Sequence, residues 1–307
     1  MRPFKNYRAR YVFEKSSMKN VLLFYCAIFP LLGHAEDALQ ACQKALSAGD
    51  YAQAAKTGKQ AGGFNGAMCL GRALQASGDH AGAAAAFAEA EHNAHEPFDR
   101  MLAITFLART SQAAGKVDEA FSHYERSLKI AREQGQKQAL MITLNESGQL
   151  LQARGDFRAA LGHFKEAYSL AANGNERSEC NQLIAAAYNQ LGDHDKAIEH
   201  QLKSVILEES NGDFDHYLNA RLELAAIATT AKDYPRAQKE LEGSLKQAQS
   251  AGSEYWQAKA MLYQGRLERV RGAAGQAQVL FKTALDLANK IGAETLSRQI
   301  SAELKQQ

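Results

Sequence analysis

The chain has 307 residues, with 36 Lys and Arg against 34 Asp and Glu, a formal charge of +2. Residues 1–35 hold six of those basic residues and one Glu, which leaves 30 basic against 33 acidic groups, a body near −3. Such a body exerts no global attraction on nucleic acid or anionic lipid, so neither is an expected partner.

The chain opens on a candidate targeting segment. Lys19 and Asn20 precede a twelve-residue apolar run, Val21 to Leu32, and Gly33-His34-Ala35 follows. A basic start, an apolar core and a small-residue cleavage site are the parts of a secretory signal peptide. The run is short against the roughly 20 residues a membrane helix needs, so no integral span is expected in the mature chain. Cys26 lacks the small residues that a lipoprotein cleavage box places before it. Residues 1–35 are therefore expected to be removed, leaving Glu36 as the N-terminus. The lead-in before Met18 is unusually long: either translation starts at Met18, the simpler reading, or the leader is extended. Export into a bacterial periplasm is the location this implies.

Beyond the leader one pattern recurs, clearest from Leu144 to Ala171, as two short amphipathic helices joined at Gly155-Asp156. Its turn falls at Gly49, Gly78, Gly115, Gly155, Gly192, Lys232 and Gly272. Five residues after each turn stands an alanine: Ala54, Ala83, Ala120, Ala160, Ala197, Ala237 and Ala277. Seven residues before it stands a small residue: Cys42, Gly71, Ala108, Gly148, Ala185, Ala225 and Gly265. A third small column runs through Ala61, Ala90, Ser127, Ala167, Ser204, Ser244 and Ala284. Small residues at these points let two helix backbones approach closely. Asp50, Asp79, Asp156, Asp193 and Asp233 follow the turn, where a short carboxylate caps the next helix. Lys232 breaks the glycine column, and Pro235 stiffens the helical turn that follows.

This order of small residue, glycine turn, alanine and aromatic resembles the tetratricopeptide repeat (TPR) family over about Asp37 to Lys290. The resemblance implies an all-α fold, a right-handed α-α superhelical solenoid of about seven helix–turn–helix repeats over 36–292. The first copy is short and weak, with Gly58 where later copies carry Phe87, Tyr124, Phe164, Leu241 or Phe281; a terminal repeat is commonly atypical. Turn-to-turn spacings are 29, 37, 40, 37, 40 and 40 residues. The usual unit is about 34, so about one helical turn is expected to be added, shared between the two helices. Lengthened units of this kind resemble a TPR subclass of bacterial peptide-sensing regulators and eukaryotic adaptors. Residues 293–307 read as a capping helix whose Leu296, Ile300 and Leu304 cover the last repeat.

No phosphate loop, nucleophile elbow or paired-His metalloprotease motif is present, so no enzyme, cofactor or metal is expected. His123, His163 and His200 fall in register, but a row projecting in parallel from the outer flank of the second helices does not converge on a metal. Cys42 and Cys69 could bond in an oxidising compartment. The register favours buried free thiols instead, because Cys42 lies in the packing column and Cys69 stands two residues off it.

In TPR units the first helix usually lines the concave groove, and its exposed stripe is sought in residues four and then three apart. The stripes are Met68-Arg72-Gln75, Thr105-Arg109-Gln112, Asn145-Gln149-Gln152, Gln182-Ala186-Asn189, Leu222-Ala226-Thr229 and Leu262-Arg266-Arg269. Amides can bond an extended peptide backbone and arginine can fork onto a carboxylate. Arg72, Gln75, Arg109, Gln112, Asn145, Gln149, Gln152 and Asn189 are therefore the expected peptide-binding groove, with Leu222 and Ala226 taking an apolar side chain. The lysine and asparagine set of the chaperone-tail clamp is absent. The leading expectation is a non-catalytic exported scaffold holding a peptide or protein segment, in envelope assembly or secretion. An extracytoplasmic sensor of a peptide or small molecule is the alternative, and a metal carrier or enzyme a third.

Overall fold

The computed structural model describes residues 35–306. The expected leader, apart from its last residue, and the Met18 start lie outside them. The described residues form fifteen helices and no strand. Along the sequence they follow as seven pairs. The first three are α1 (35–47) and α2 (Tyr51–Ala61), α3 (Gly63–Ala76) and α4 (His80–Asn93), and α5 (Pro97–Ala113) and α6 (Val117–Glu133). Next come α7 (Lys137–Ala153) and α8 (Phe157–Leu170), then α9 (Gly174–Gln190) and α10 (His194–Asn211). The last pairs are α11 (Phe214–Thr230) with α12 (Tyr234–Ser250) and α13 (Glu254–Val270) with α14 (Ala274–Lys290), closed by α15 (Glu294–Lys305). The chain divides into two compact units, one ending at Ala120 and one starting at Phe121.

Each turn between paired helices works by the same local chemistry. The column glycines take positive φ, a region where an L side chain is strained, and Lys232 at φ 60° is the one non-glycine that does so among the described residues. The aspartate then caps the next helix. Asp50 accepts from Gln53 N at 3.0 Å, Asp79 from Gly82 N at 2.9 Å, and Asp156, Asp193 and Asp233 accept in the same way.

The difference between the 37- and 40-residue spacings lies in the second helix alone. First helices α5, α7, α9, α11 and α13 all have 17 residues. The second helix has 14 residues in α4 and α8 but 17 or 18 in α6, α10 and α12. The short ones end where the chain turns extended at Ala94 and Ala171, whereas the long ones run on to left-handed glycines at Gly135, Gly212 and Gly252. One joint geometry yields the 37-residue spacing and the other the 40-residue spacing.

Every alanine of the turn-plus-five column is buried. The small column on the first helices meets a ring rather than a bare backbone. A Cβ on Gly71, Gly148 or Gly265 would overlap the ring of Phe87, Phe164 or Phe281. Those rings are nearly wholly enclosed, and burying each contributes about 1.5–3 kcal/mol. In the first repeat the arrangement is inverted: Gly58 is the small partner, and a Cβ there would press on Cys42 Sγ at 3.1 Å.

That inversion accompanies the cysteine pairing. Cys42 and Cys69 are bonded, with Cα atoms 6.5 Å apart, not the separate thiols the register favours. Cys69 stands off the column on the α3 flank that faces α1, so displacement from the column brings it to Cys42 rather than away. Cys180 is a buried free thiol. At the far end α15 lays Leu296 and Ile300 into the core of α13 and α14, with Leu304 partly buried beside them, as the capping pattern predicts.

Candidate functional site

Within each unit neighbouring first helices pack side by side, α3 with α5, and α7, α9, α11 and α13 in series. The first residue of most predicted stripes is not on their open face. Met68, Thr105, Asn145, Leu222 and Leu262 are all buried. The half-exposed residue lies one position later on α5 to α13, at Phe106, Glu146, Leu183, Glu223 and Tyr263. A four-then-three step rotates toward the neighbouring helix, whereas the open face follows residues 106, 109 and 113 and their equivalents. Asn145 therefore turns inward, its amide donating to Cys180 Sγ at 3.6 Å, and Leu222 has no surface to offer a ligand.

In the first unit, Arg72 is exposed and Gln75 half-buried. They border a cleft of about 510 Å³ with Gln43, Tyr51 and Phe106. Arg109 is half-buried with its guanidinium 5.1 Å from the Phe106 ring centre, and Gln112 is exposed at the end of α5. Phe106 in turn stacks on Phe87 at 5.0 Å. This corner offers cationic and aromatic surface together.

In the second unit Gln149 and Gln152 border a cleft of about 480 Å³ with Leu183, Ala186 and Gln190. Asn189 is half-buried, 2.8 Å from His194 Nδ1, and lines a second cavity of about 400 Å³ between α9 and α11. Further along, the same stripe is closed by its own side chains. Asp215 accepts from the Trp256 indole, Asn219 from Lys259 at 2.8 Å, and Glu223 from the Tyr263 hydroxyl, each partner one repeat on. Arg266 and Arg269 both pair with Glu303 of α15. Desolvation alone would raise the Glu303 carboxyl, but bonds from Arg269 and Arg266 together hold it below the usual carboxylate range. Burial lowers the Lys259 ammonium and, with Glu223 beside it, holds the Tyr263 phenol well above its ordinary value.

The histidine row is not on an outer flank: His123, His163 and His200 are each half-buried. His200 lies 2.8 Å from Asn181 Oδ1 and stacks on Tyr188, because its position faces back across the pair toward α9. Among the described residues no three His, Cys, Asp or Glu side chains gather to hold a metal, and no helix is long and apolar enough to cross a membrane. Glu223, Leu183, Gln190 and Gln201 escape the stripe reading. The signal that could have found Gln201 was its break in the aromatic column.

A family model described as tetratricopeptide repeat matches residues 100–173. No curated protein sequence matches the chain. Among solved structures, kinesin light chain TPR-like repeats of Podosopora anserina share 19% identity at a TM-score of 0.55, covering 62% of this chain and 97% of that one. The apo form of RapI shares 13% at a TM-score of 0.60, covering 78% and 96%. A Rap protein complexed with Competence and Sporulation Factor shares 11% at 0.51, covering 89% and 96%. At such identities the likeness is one of fold. Seven registered helix pairs and the shared fold make this chain an all-α repeat solenoid, and over residues 100–173 it matches the tetratricopeptide repeat.

Proposed function

We propose that this chain is a non-catalytic scaffold that holds an extended protein or peptide segment against the inner face of α7, α9 and α11. The observation that carries this is the contrast along the second unit. Gln149, Gln152, Asn189 and Gln190 border open clefts, while the stripe of α13 is occupied by hydrogen bonds and ion pairs to its neighbours. Amides that border open space can both donate to and accept from a peptide backbone, and apolar Leu183 gives a side chain somewhere to rest. Protein or peptide is accordingly the partner class, with nucleic acid disfavoured by the body's net charge near −3.

The same reading places the protein outside the cytoplasm, in a bacterial periplasm, in envelope assembly or secretion. The apolar run before Ala35 and the Cys42–Cys69 disulfide support this, since such bonds persist in oxidising compartments. Two measurements test the proposal. The full chain should retain members of a random library of unstructured peptides, and Ala186→Trp, which fills the cleft between α7 and α9, should abolish retention. Retention untouched by Ala186→Trp removes the inner face as the site. Mass spectrometry of exported protein should find Glu36 at the N-terminus, and an intact leader on a cytoplasmic species would contradict export.

A further inference from the structure

Three departures from the repeat pattern coincide between α9 and α11. Six residues before the turn the stripe carries Gln43, Arg72, Arg109, Gln149 and Arg266 in five repeats, but Ala186 and Ala226 in the fifth and sixth. Nine residues after the turn the core column is aromatic or leucine from the second repeat on, except at Gln201. Two missing long side chains and one amide in place of a ring open the cavity of about 400 Å³ that Gln201, Ala186 and Ala226 line together.

The lining is one-sided in charge. Glu223 is the one acidic residue of its lining, and no Lys, Arg or His borders it. Of the groups close to Glu223, the Tyr263 hydroxyl donates to its Oε1 and Lys259 feels its charge while donating to Asn219 at 2.8 Å, and neither borders the cavity. Gln201 supplies an independent pointer to a ligand. It is 1% exposed, and its Nε2 donates to Ala220 O at 2.9 Å. Its Oε1 is then the acceptor left over beside the cavity. An amide that spends its donor on the backbone keeps its oxygen for a donor that enters the cavity it lines. Leu183 and Ile227 furnish apolar wall beside these acceptors.

We infer that this cavity is the specificity pocket of the inner face and takes a basic side chain, lysine or arginine, from the bound segment. The methylene stem runs along Leu183 and Ile227, and the charged head donates to Glu223 and to Gln201 Oε1. A long aliphatic stem with a donor-only head matches apolar walls ending in acceptors, where an acidic or purely apolar side chain would leave them unmet. The inference rests on the proposed inner-face binding, and the test separates the two.

The full chain is probed with a random library of unstructured peptides, and the best-retained peptide is remade with norleucine at each basic position. The pocket predicts a basic residue at one fixed position, at least tenfold weaker binding when norleucine replaces it, and near-equal affinity for the two peptides in Glu223→Gln and Gln201→Leu. Glu223→Gln keeps an oxygen for the Tyr263 hydroxyl, and Gln201→Leu installs a side chain the sixth repeat already carries at Leu241, so both variants are expected to fold. Peptides retained without a basic preference, or with a preference that survives both substitutions, overturn the pocket while leaving inner-face binding intact. No retained peptide at all overturns inner-face binding and the pocket with it.

Discussion

At the residue scale the most informative positions are glycines that look alike in sequence and differ in space. Gly148 and Gly162 both sit within helices, where alanine is intrinsically favoured by about 1 kcal/mol. Around Gly162 nothing lies within 4 Å of an added Cβ, so Gly162→Ala should stabilise by about 0.5–1 kcal/mol. At Gly148 the added carbon overlaps the enclosed Phe164 ring, and overpacking costs about 1–3 kcal/mol. Gly148→Ala should therefore destabilise in urea unfolding, and Phe164→Leu should restore much of the loss in the double variant. A stabilising Gly148→Ala would mean that the glycine–ring contact is not tight. The small column was legible in sequence, but its partner was not, because spacing along a chain does not say which side chain crosses the gap.

The half-buried histidines belong to the same scale. Burial, the largest influence on both, holds His163 and His200 below the ordinary histidine value. Folded protein then binds these protons more weakly than unfolded protein does, so stability rises with pH. It is full above the ordinary histidine pKa and declines as pH falls through it toward the lower folded values. Urea midpoints should drop between about pH 7.5 and pH 5.5, a window above ordinary carboxylate titration. His163→Gln with His200→Gln should flatten that slope; an unchanged slope would assign it to other groups.

At the element scale the turn chemistry was readable in detail: glycine, then a capping aspartate, then alanine five residues on. Helix lengths were not, because a repeat spacing gives only the sum of two helices and two joints. The groove stripe was misplaced at its first residue for a related reason. On a cylinder of 3.6 residues per turn two adjacent stripes satisfy nearly the same spacing, and only the packing of first helix on first helix decides between them. Asn145 went to the interior and Glu146 to the half-exposed stripe on that small rotation. The Cys42–Cys69 link joins α1 to α3 across 27 residues of sequence, and closing such a loop contributes about 3–4 kcal/mol. Reduction, or Cys42→Ala with Cys69→Ala, should speed hydrogen exchange in α1 to α3 and leave α13 to α15 unchanged. Uniform loosening along the chain would show that the array opens as one unit rather than locally.

At the scale of the whole molecule the fold class was legible from seven registered copies of the same columns, since each repeat restates the same constraints. The ligand was not, because binding resides in departures from the pattern, and Gln201, Ala186 and Ala226 mean little until α9 and α11 stand side by side. The central claim is that the inner face of α7, α9 and α11 holds an extended segment. Hydrogen–deuterium exchange on the full chain, with and without its best-retained library peptide, tests this most directly. The account predicts added protection in α7, α9 and α11, and two- to tenfold weaker binding in Gln149→Ala from the loss of a hydrogen bond of about 0.5–1.5 kcal/mol. Protection confined to α8, α10 and α12, with affinity that ignores Gln149, would contradict it.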